Sequence, residues 1–195
     1  LRIGITGQIG TGKSEVAAAF AGYGACVISA DQIGKEVVES NRAILNKLAR
    51  TFGRDILTNR GLLRRKLLGI RAFSSPENTR KLNGIVHPVL LKKLDLKVRQ
   101  AERKYAIVVI DAALLIDWGW EKRVDLTILV NAGREIKLKR LQNKGYRRNE
   151  ALKRLKSQRP YSELRRKSDL VILNNKDKKY LQYRVARILQ KISLK

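Results

Sequence analysis

Five short apolar runs, rich in β-branched residues, recur along the chain: Arg2–Thr6, Cys26–Ser29, Ala106–Ile110, Leu126–Val130 and Leu170–Leu173. Such runs predict strands covered by helices on both faces. Between them the apolar positions fall at helical spacing. Glu15–Phe20 is helix-prone, and Asp177–Ile192 sets Tyr180, Leu181, Val185, Ile188, Leu189 and Ile192 on a face suited to packing against a sheet. Strand and helix alternate, which predicts an α/β domain with a mainly parallel sheet. Right-handed crossovers put the functional loops of such a sheet at the carboxyl ends of its strands. Residues 7–14, Asp31 and Asp111 each follow one of those ends, so three loops are expected along one edge.

Two stretches exceed what simple crossovers need. Residues 32–104 read as helices at Gln32–Ser40, Asn41–Phe52, Leu62–Phe73, Glu77–Val86 and Pro88–Lys104, with Pro88 in a first turn where its missing N–H is harmless. This is a candidate substrate-holding insertion. Residues 134–167 form the second stretch; from Gly133 to Lys167 fourteen Lys or Arg face only three acids, and Gly145 and Pro160 break the run. Two short helices with cationic faces fit it, as a lid over phosphates or as an ordinary solvated pair. The core is then 1–31, 105–133 and 168–195.

Gly7-Gln8-Ile9-Gly10-Thr11-Gly12-Lys13-Ser14 is a complete G-x-x-x-x-G-K-[ST] loop between the first strand and the first helix. Its glycines let backbone N–H groups curl inward toward phosphate oxygens. Lys13 supplies a point charge, the Ser14 hydroxyl suits Mg²⁺, and the helix dipole adds to anion attraction. The loop therefore predicts a nucleoside triphosphate, with ATP and Mg²⁺ as the expected pair.

Composition narrows the rest. Of 195 residues, 43 are Lys or Arg and 17 Asp or Glu, a net charge of +26. That excess attracts polyanions of any kind and does not choose among them; spread along the whole chain, it equally describes a solvated basic surface. Hydrophobic content of 44% argues against disorder. No apolar run approaches the roughly 18 residues of a membrane span, and with a strand at the start of the sequence no signal peptide is expected. The single cysteine, Cys26, forbids an internal disulfide, fits a reducing cytoplasm, and is expected to be a buried, inert thiol. A monomer or weak oligomer without specific nucleic-acid binding is expected.

Phosphate loops serve kinases and hydrolytic motors alike, so other groups must decide. Phosphoryl transfer needs neutralised phosphate charge, a positioned acceptor and exclusion of water. Asp111, after Ala106–Ile110, is placed to meet the metal directly or through water, or simply to end a strand. Asp31, just past Cys26–Ser29, suits either the base that orients an attacking hydroxyl or an N-cap for Gln32–Ser40. Position alone does not separate these.

Longer blocks do. Thr6–Ser14, Ala30-Asp31-Gln32-Ile33-Gly34-Lys35-Glu36-Val37, Phe52-Gly53-Arg54-Asp55-Ile56-Leu57, Leu82-Asn83-Gly84-Ile85-Val86-His87-Pro88, Asp111-Ala112-Ala113-Leu114-Leu115, Arg140-Leu141, Gln158 and Ser168–Asn175 together resemble the dephospho-CoA kinase family, in family order over nearly the whole chain. The resemblance implies a three-layer P-loop kinase fold with a five-stranded parallel sheet, a helical insertion for dephospho-CoA and a helical lid. It implies transfer of the ATP γ-phosphoryl group to the ribose 3′-hydroxyl of dephospho-CoA. On that view Lys13, Asp31 and Arg140 are catalytic. Gly10, Thr11, Gly12, Lys13, Ser14, Glu15 and Asn174 bind ATP, with Asn174 near the adenine. Asp31, Asn83, His87 and Leu114 contact the acceptor, and Ser14 and Asp111 face Mg²⁺. His87, beside Pro88, is read as a structural hydrogen-bonding residue rather than a proton-transfer group, and Trp118 and Trp120 as loop packing.

Some positions depart from the family pattern. Glu15 replaces a second hydroxyl and brings an acid close to phosphates, although its backbone N–H is still available to them. Ser29, Arg60 and Arg64 stand where acids are common, and Ala113 and Asp117 where proline and glutamate are usual. Lys144 replaces an arginine, keeping charge without bidentate geometry. Another small-molecule kinase of the same fold and a basic nucleic-acid-binding ATPase are the competing readings; the Asn83–Pro88 block disfavours the first, and the lack of an aromatic-basic RNA motif the second.

Overall fold

The inner strands carry the core. In the computed structural model, which describes residues 1–193, β1 (Arg2–Thr6), β2 (Cys26–Ser29), β3 (Val108–Asp111), β4 (Leu126–Asn131) and β5 (Leu170–Leu173) form one sheet in the order β2-β3-β1-β4-β5. Every pairing is parallel, and Ser29, Asp111 and Ile5 lie in register. Helices α1 (Lys13–Ala21), α2 (Ala30–Ser40), α3 (Arg42–Phe52), α4 (Arg65–Ala72), α5 (Pro76–Glu102), α6 (Arg134–Asn143), α7 (Arg148–Lys156), α8 (Tyr161–Arg166) and α9 (Lys178–Ser193) complete the order. No helix among the described residues is long and apolar enough to cross a membrane.

The chain falls into two units. One comprises Leu1–Ser29 and everything from Gln100 onward; the other is Ala30–Arg99. In the first, Val16, Ala17 and Phe20 of α1 and Leu181, Val185 and Ile188 of α9 pack with Ile3, Ile5, Val109, Ile128, Val130 and Ile172. On the opposite face Ile116 and Leu164 cluster with Leu129 and Val171. A Cβ at Gly4 would lie 2.6 Å from Leu115 Cδ2, so glycine lets the segment after β3 press onto β1. Helical layers thus cover both sides of an α/β sheet, as expected. The exception is the edge: Leu170 and Leu173 of β5 stay 39% and 49% exposed, because β5 pairs only with β4.

In the second unit α2 and α5 are joined by Glu36, which receives Lys93 Nζ at 2.9 Å and Lys97 Nζ at 3.0 Å. The two ammonium groups hold the Glu36 carboxyl below its ordinary range. The expected break between helices at His87 is absent: α5 runs through Pro88. Val86, Leu90, Leu94, Val98 and Ala101 are all buried, a stripe spaced by three or four residues. Burying that stripe on one continuous helix outweighs the hydrogen bond that Pro88 cannot make.

Other boundaries move for local reasons. Helix α4 starts at Arg65 rather than Leu62, since Thr58 N–H donates to Leu62 O and Arg64 N–H to Ile56 O, in a hairpin that also bridges Leu57 and Leu63. β3 begins two residues later than the apolar run and includes Asp111 as its last residue. The basic stretch holds three helices rather than two, because Gly145, at φ +89°, and Pro160, at the start of α8, each end a segment. Cys26 is half-buried on the edge strand β2 rather than fully enclosed.

Candidate active site

The loop between β1 and α1 depends on three left-handed glycines: Gly7 at φ +149°, Gly10 at +80° and Gly12 at +85°. Side chains have no room there either. A Cβ on Gly7 would fall 2.2 Å from Val130 O, and one on Gly12 2.2 Å from Asn174 Nδ2. Gly12 precedes α1 without a side-chain cap, which suits a helix N-terminus that receives an anion. Lys13 Nζ donates to Gly7 O at 3.0 Å and Gln8 O at 3.3 Å, so its ammonium folds along the loop itself. Ser14 Oγ donates to Asp111 Oδ2 at 2.9 Å, and Asp111 is only 8% exposed. The two residues expected at the metal are therefore neighbours, one hydroxyl and one carboxylate. A hard oxygen pair of this kind fits Mg²⁺, which takes few protein ligands and completes its shell with phosphate and water.

A second cluster braces the loop from outside. Asn174, 3% exposed at the end of β5, donates Nδ2 to Thr11 O at 3.0 Å and to Glu15 Oε2 at 2.9 Å. Arg140 of α6 donates to Thr11 O at 3.0 Å, to Gly10 O at 3.3 Å and to Asn174 O at 3.2 Å, and lies 3.7 Å from Glu15. Peptide carbonyls of a phosphate loop point away from the bound phosphates, so Arg140 here holds the outer wall. Glu15 spends its carboxylate on these partners, and its N–H donates to Gly12 O at 3.1 Å.

The basic stretch supplies contacts that the sequence did not announce. Gln158 Oε1 accepts from Ile9 N–H at 2.7 Å. Gln8 Nε2 donates to Arg159 O at 3.2 Å, while Gln8 Oε1 accepts Lys137 Nζ at 2.8 Å. Arg159 itself holds Asp117 at 2.7 Å and Glu163 at 2.8 Å. Burial lowers the Lys137 ammonium below the ordinary lysine range. The available signal was positional: α6 starts just past β4, and residues 137 and 140 share a helical face.

The residues expected at the acceptor lie mostly in the second unit. Asp31 is exposed in the first turn of α2, which opens at Ala30, so it is not the N-cap that the sequence allowed. Asn83 and His87 are one turn apart on α5 and half-buried. Leu114, in the first unit, is half-buried, and its carbonyl accepts Trp118 N–H at 3.0 Å. Trp120 is buried and carries Arg123 over its ring at 4.3 Å, which bears out packing for that residue.

A parallel sheet whose first strand turns through a glycine-lined phosphate loop into a helix, with a hydroxyl–carboxylate pair beside it, defines a P-loop nucleotide-binding protein. The family model for dephospho-CoA kinase matches residues 1–179. A dephospho-CoA kinase of Corynebacterium glutamicum is 34% identical over 194 residues, covering 98% of this chain and 97% of its own. Among solved structures, TT1252 from Thermus thermophilus is 31% identical with a TM-score of 0.81, covering 98% of this chain and 97% of that one. A dephospho-CoA kinase from Campylobacter jejuni shares the fold at a TM-score of 0.66 and 23% identity, over 98% and 96% of the two chains. The chain belongs to the dephospho-CoA kinase family, and it is an enzyme of phosphoryl transfer with ATP as co-substrate.

Proposed function

We propose that this chain transfers the γ-phosphoryl group of ATP to the ribose 3′-hydroxyl of dephospho-CoA, giving CoA and ADP. The observation that carries the reading is the left-handed glycine loop with Lys13 and the Ser14–Asp111 pair, in a chain matched by the family model over residues 1–179. The loop amides and Lys13 hold the β- and γ-phosphates. Ser14 and Asp111 would hold Mg²⁺, which would supply charge neutralisation for the transferring group. Asp31 lies two residues past Ser29, the strand end in register with Asp111. It orients the 3′-hydroxyl and takes its proton as the new O–P bond forms and the bond from Pγ to the β–γ bridging oxygen breaks. ADP carries the leaving electron pair.

Asn83, His87 and Leu114 contact dephospho-CoA, in a layout of core (1–31, 105–133, 168–195), acceptor-binding insertion (32–104) and lid (134–167). The lid excludes water, so that the acceptor and not solvent receives the phosphoryl group. We place the enzyme in the cytoplasm, acting as a monomer or weak oligomer. The test is mass-spectrometric detection of CoA from dephospho-CoA and MgATP. Selective turnover of a nucleoside, nucleotide or shikimate instead would overturn the acceptor assignment.

A further inference from the structure

Arg140 commits its guanidinium to the carbonyls of Gly10, Thr11 and Asn174. Lys137, one turn earlier on α6, is placed differently. Its ammonium lies 2.8 Å from Gln8 Oε1, and Lys13 Nζ reaches the backbone oxygen of the same Gln8 at 3.3 Å. Two ammonium groups from two helices thus meet on one residue of the phosphate loop. The approach is close: a Cβ on Gly10 would stand 2.9 Å from Lys137 O and 3.2 Å from its Cα. Lys137 is half-buried, and burial lowers its ammonium below the ordinary lysine range. A half-buried cation hydrogen-bonded to a neutral amide gains a charge partner when an anion enters the loop.

We infer that Lys137 is a catalytic residue: when ATP fills the loop, its ammonium exchanges Gln8 Oε1 for a terminal phosphate oxygen and neutralises the transferring group alongside Lys13. Arg140 then acts as a positioning residue through the loop carbonyls. The inference rests on the kinase reading above but not on the identity of the acceptor. Gln8 is suited to the exchange, since its Nε2 stays anchored on Arg159 O while Oε1 is released to water.

The experiment compares wild type with Lys137→Gln, Lys137→Ala and Lys137→Arg. Lys137→Gln removes the charge and retains a hydrogen-bonding side chain for Gln8. It should lower kcat on the order of 10²-fold, the scale for removing one preorganised donor from a charge-developing site. The KM for dephospho-CoA should not change. Lys137→Arg should recover most of the rate; because a guanidinium also donates to Gln8, it is the loss in Lys137→Gln, which keeps a donor there, that a role confined to bracing Gln8 does not predict. Calorimetric titration with MgATP and MgADP gives a readout independent of the acceptor: wild type should prefer ATP, and Lys137→Gln should erase that preference while binding ADP normally. A Lys137→Gln enzyme with wild-type kcat and an intact ATP preference would overturn the inference. So would a Lys137→Ala enzyme of unchanged kcat, with its melting temperature showing that it folds. If wild type prefers ATP, Lys137→Gln abolishes the preference, and no CoA forms, the acceptor assignment fails while the role of Lys137 stands.

Discussion

Gly12→Ala tests the loop and its brace together. At φ +85° an L residue costs about 1–2 kcal/mol in backbone energy alone. The added methyl meets Asn174 Nδ2 at 2.2 Å and Glu15 Oε2 at 2.7 Å. Glu15 is half-exposed and can swing aside, but Asn174 is buried and its amide donates to Thr11 O and Glu15. Displacing that amide costs roughly a further 1–3 kcal/mol. The sum, about 2–5 kcal/mol, should lower the melting temperature by roughly 5–15 °C in a chain of this size. Asn174→Ala alone should cost less, about 1–2 kcal/mol, because Thr11 O keeps Arg140 at 3.0 Å. The decisive variant is the double one. With the amide gone the severest clash is relieved, leaving the backbone penalty of Gly12→Ala and a milder approach to Arg140 Nη1 at 3.2 Å. Denaturant titration of the four proteins should give a coupling of roughly 1–3 kcal/mol in favour of the double variant. Strict additivity would refute the claim that these two residues meet.

Three other expectations concern the site and its supports. Asp31→Asn should lower kcat by roughly 10²–10⁴-fold with little change in the KM for ATP, measured by ADP release; an unaltered kcat in the folded variant would remove Asp31 from the chemistry. Ser14→Ala and Asp111→Asn should each raise the Mg²⁺ concentration needed for half-maximal rate, and the double variant should be little worse than the poorer single one, since both residues serve one ion. Independent, multiplying effects would separate their roles. Glu36 titrates below its ordinary 4.5 because Lys93 and Lys97 favour the charged form. Its contribution to stability is therefore complete above pH 4.5 and fades as pH falls through the lowered folded value. Glu36→Gln should flatten the acid limb of the stability curve in that window and leave neutral pH behaviour nearly the same, as followed by circular dichroism.

How much of this site could be read from residues alone depends on what each residue binds. The phosphate loop was legible because its demands are local: positive φ at Gly7, Gly10 and Gly12 restricts the residue type, and Lys13 and Ser14 follow at fixed spacing. The inner strands were legible for a similar reason, since burial on both faces leaves an unbroken apolar run. Both halves of helix α5 were legible, but its continuity was not, because Pro88 is a strong local signal and the stripe from Val86 to Ala101 that overrides it is a tertiary one. Arg140 and Asn174 were named as site residues through the family resemblance, but their contacts with the loop were not legible, for a third reason. Their acceptors are mainly backbone carbonyls, and any residue type carries a carbonyl, so no spacing or composition records the match. Glu15 shows the consequence. In sequence it is an acid set close to phosphates, a liability to affinity. In the fold its carboxylate accepts from Asn174, 159 residues away, and lies 3.7 Å from Arg140, so part of its charge is already answered before nucleotide arrives. The departure from the family pattern is compensated within the brace, and the side chain that replaces the usual hydroxyl ties β5 to the loop.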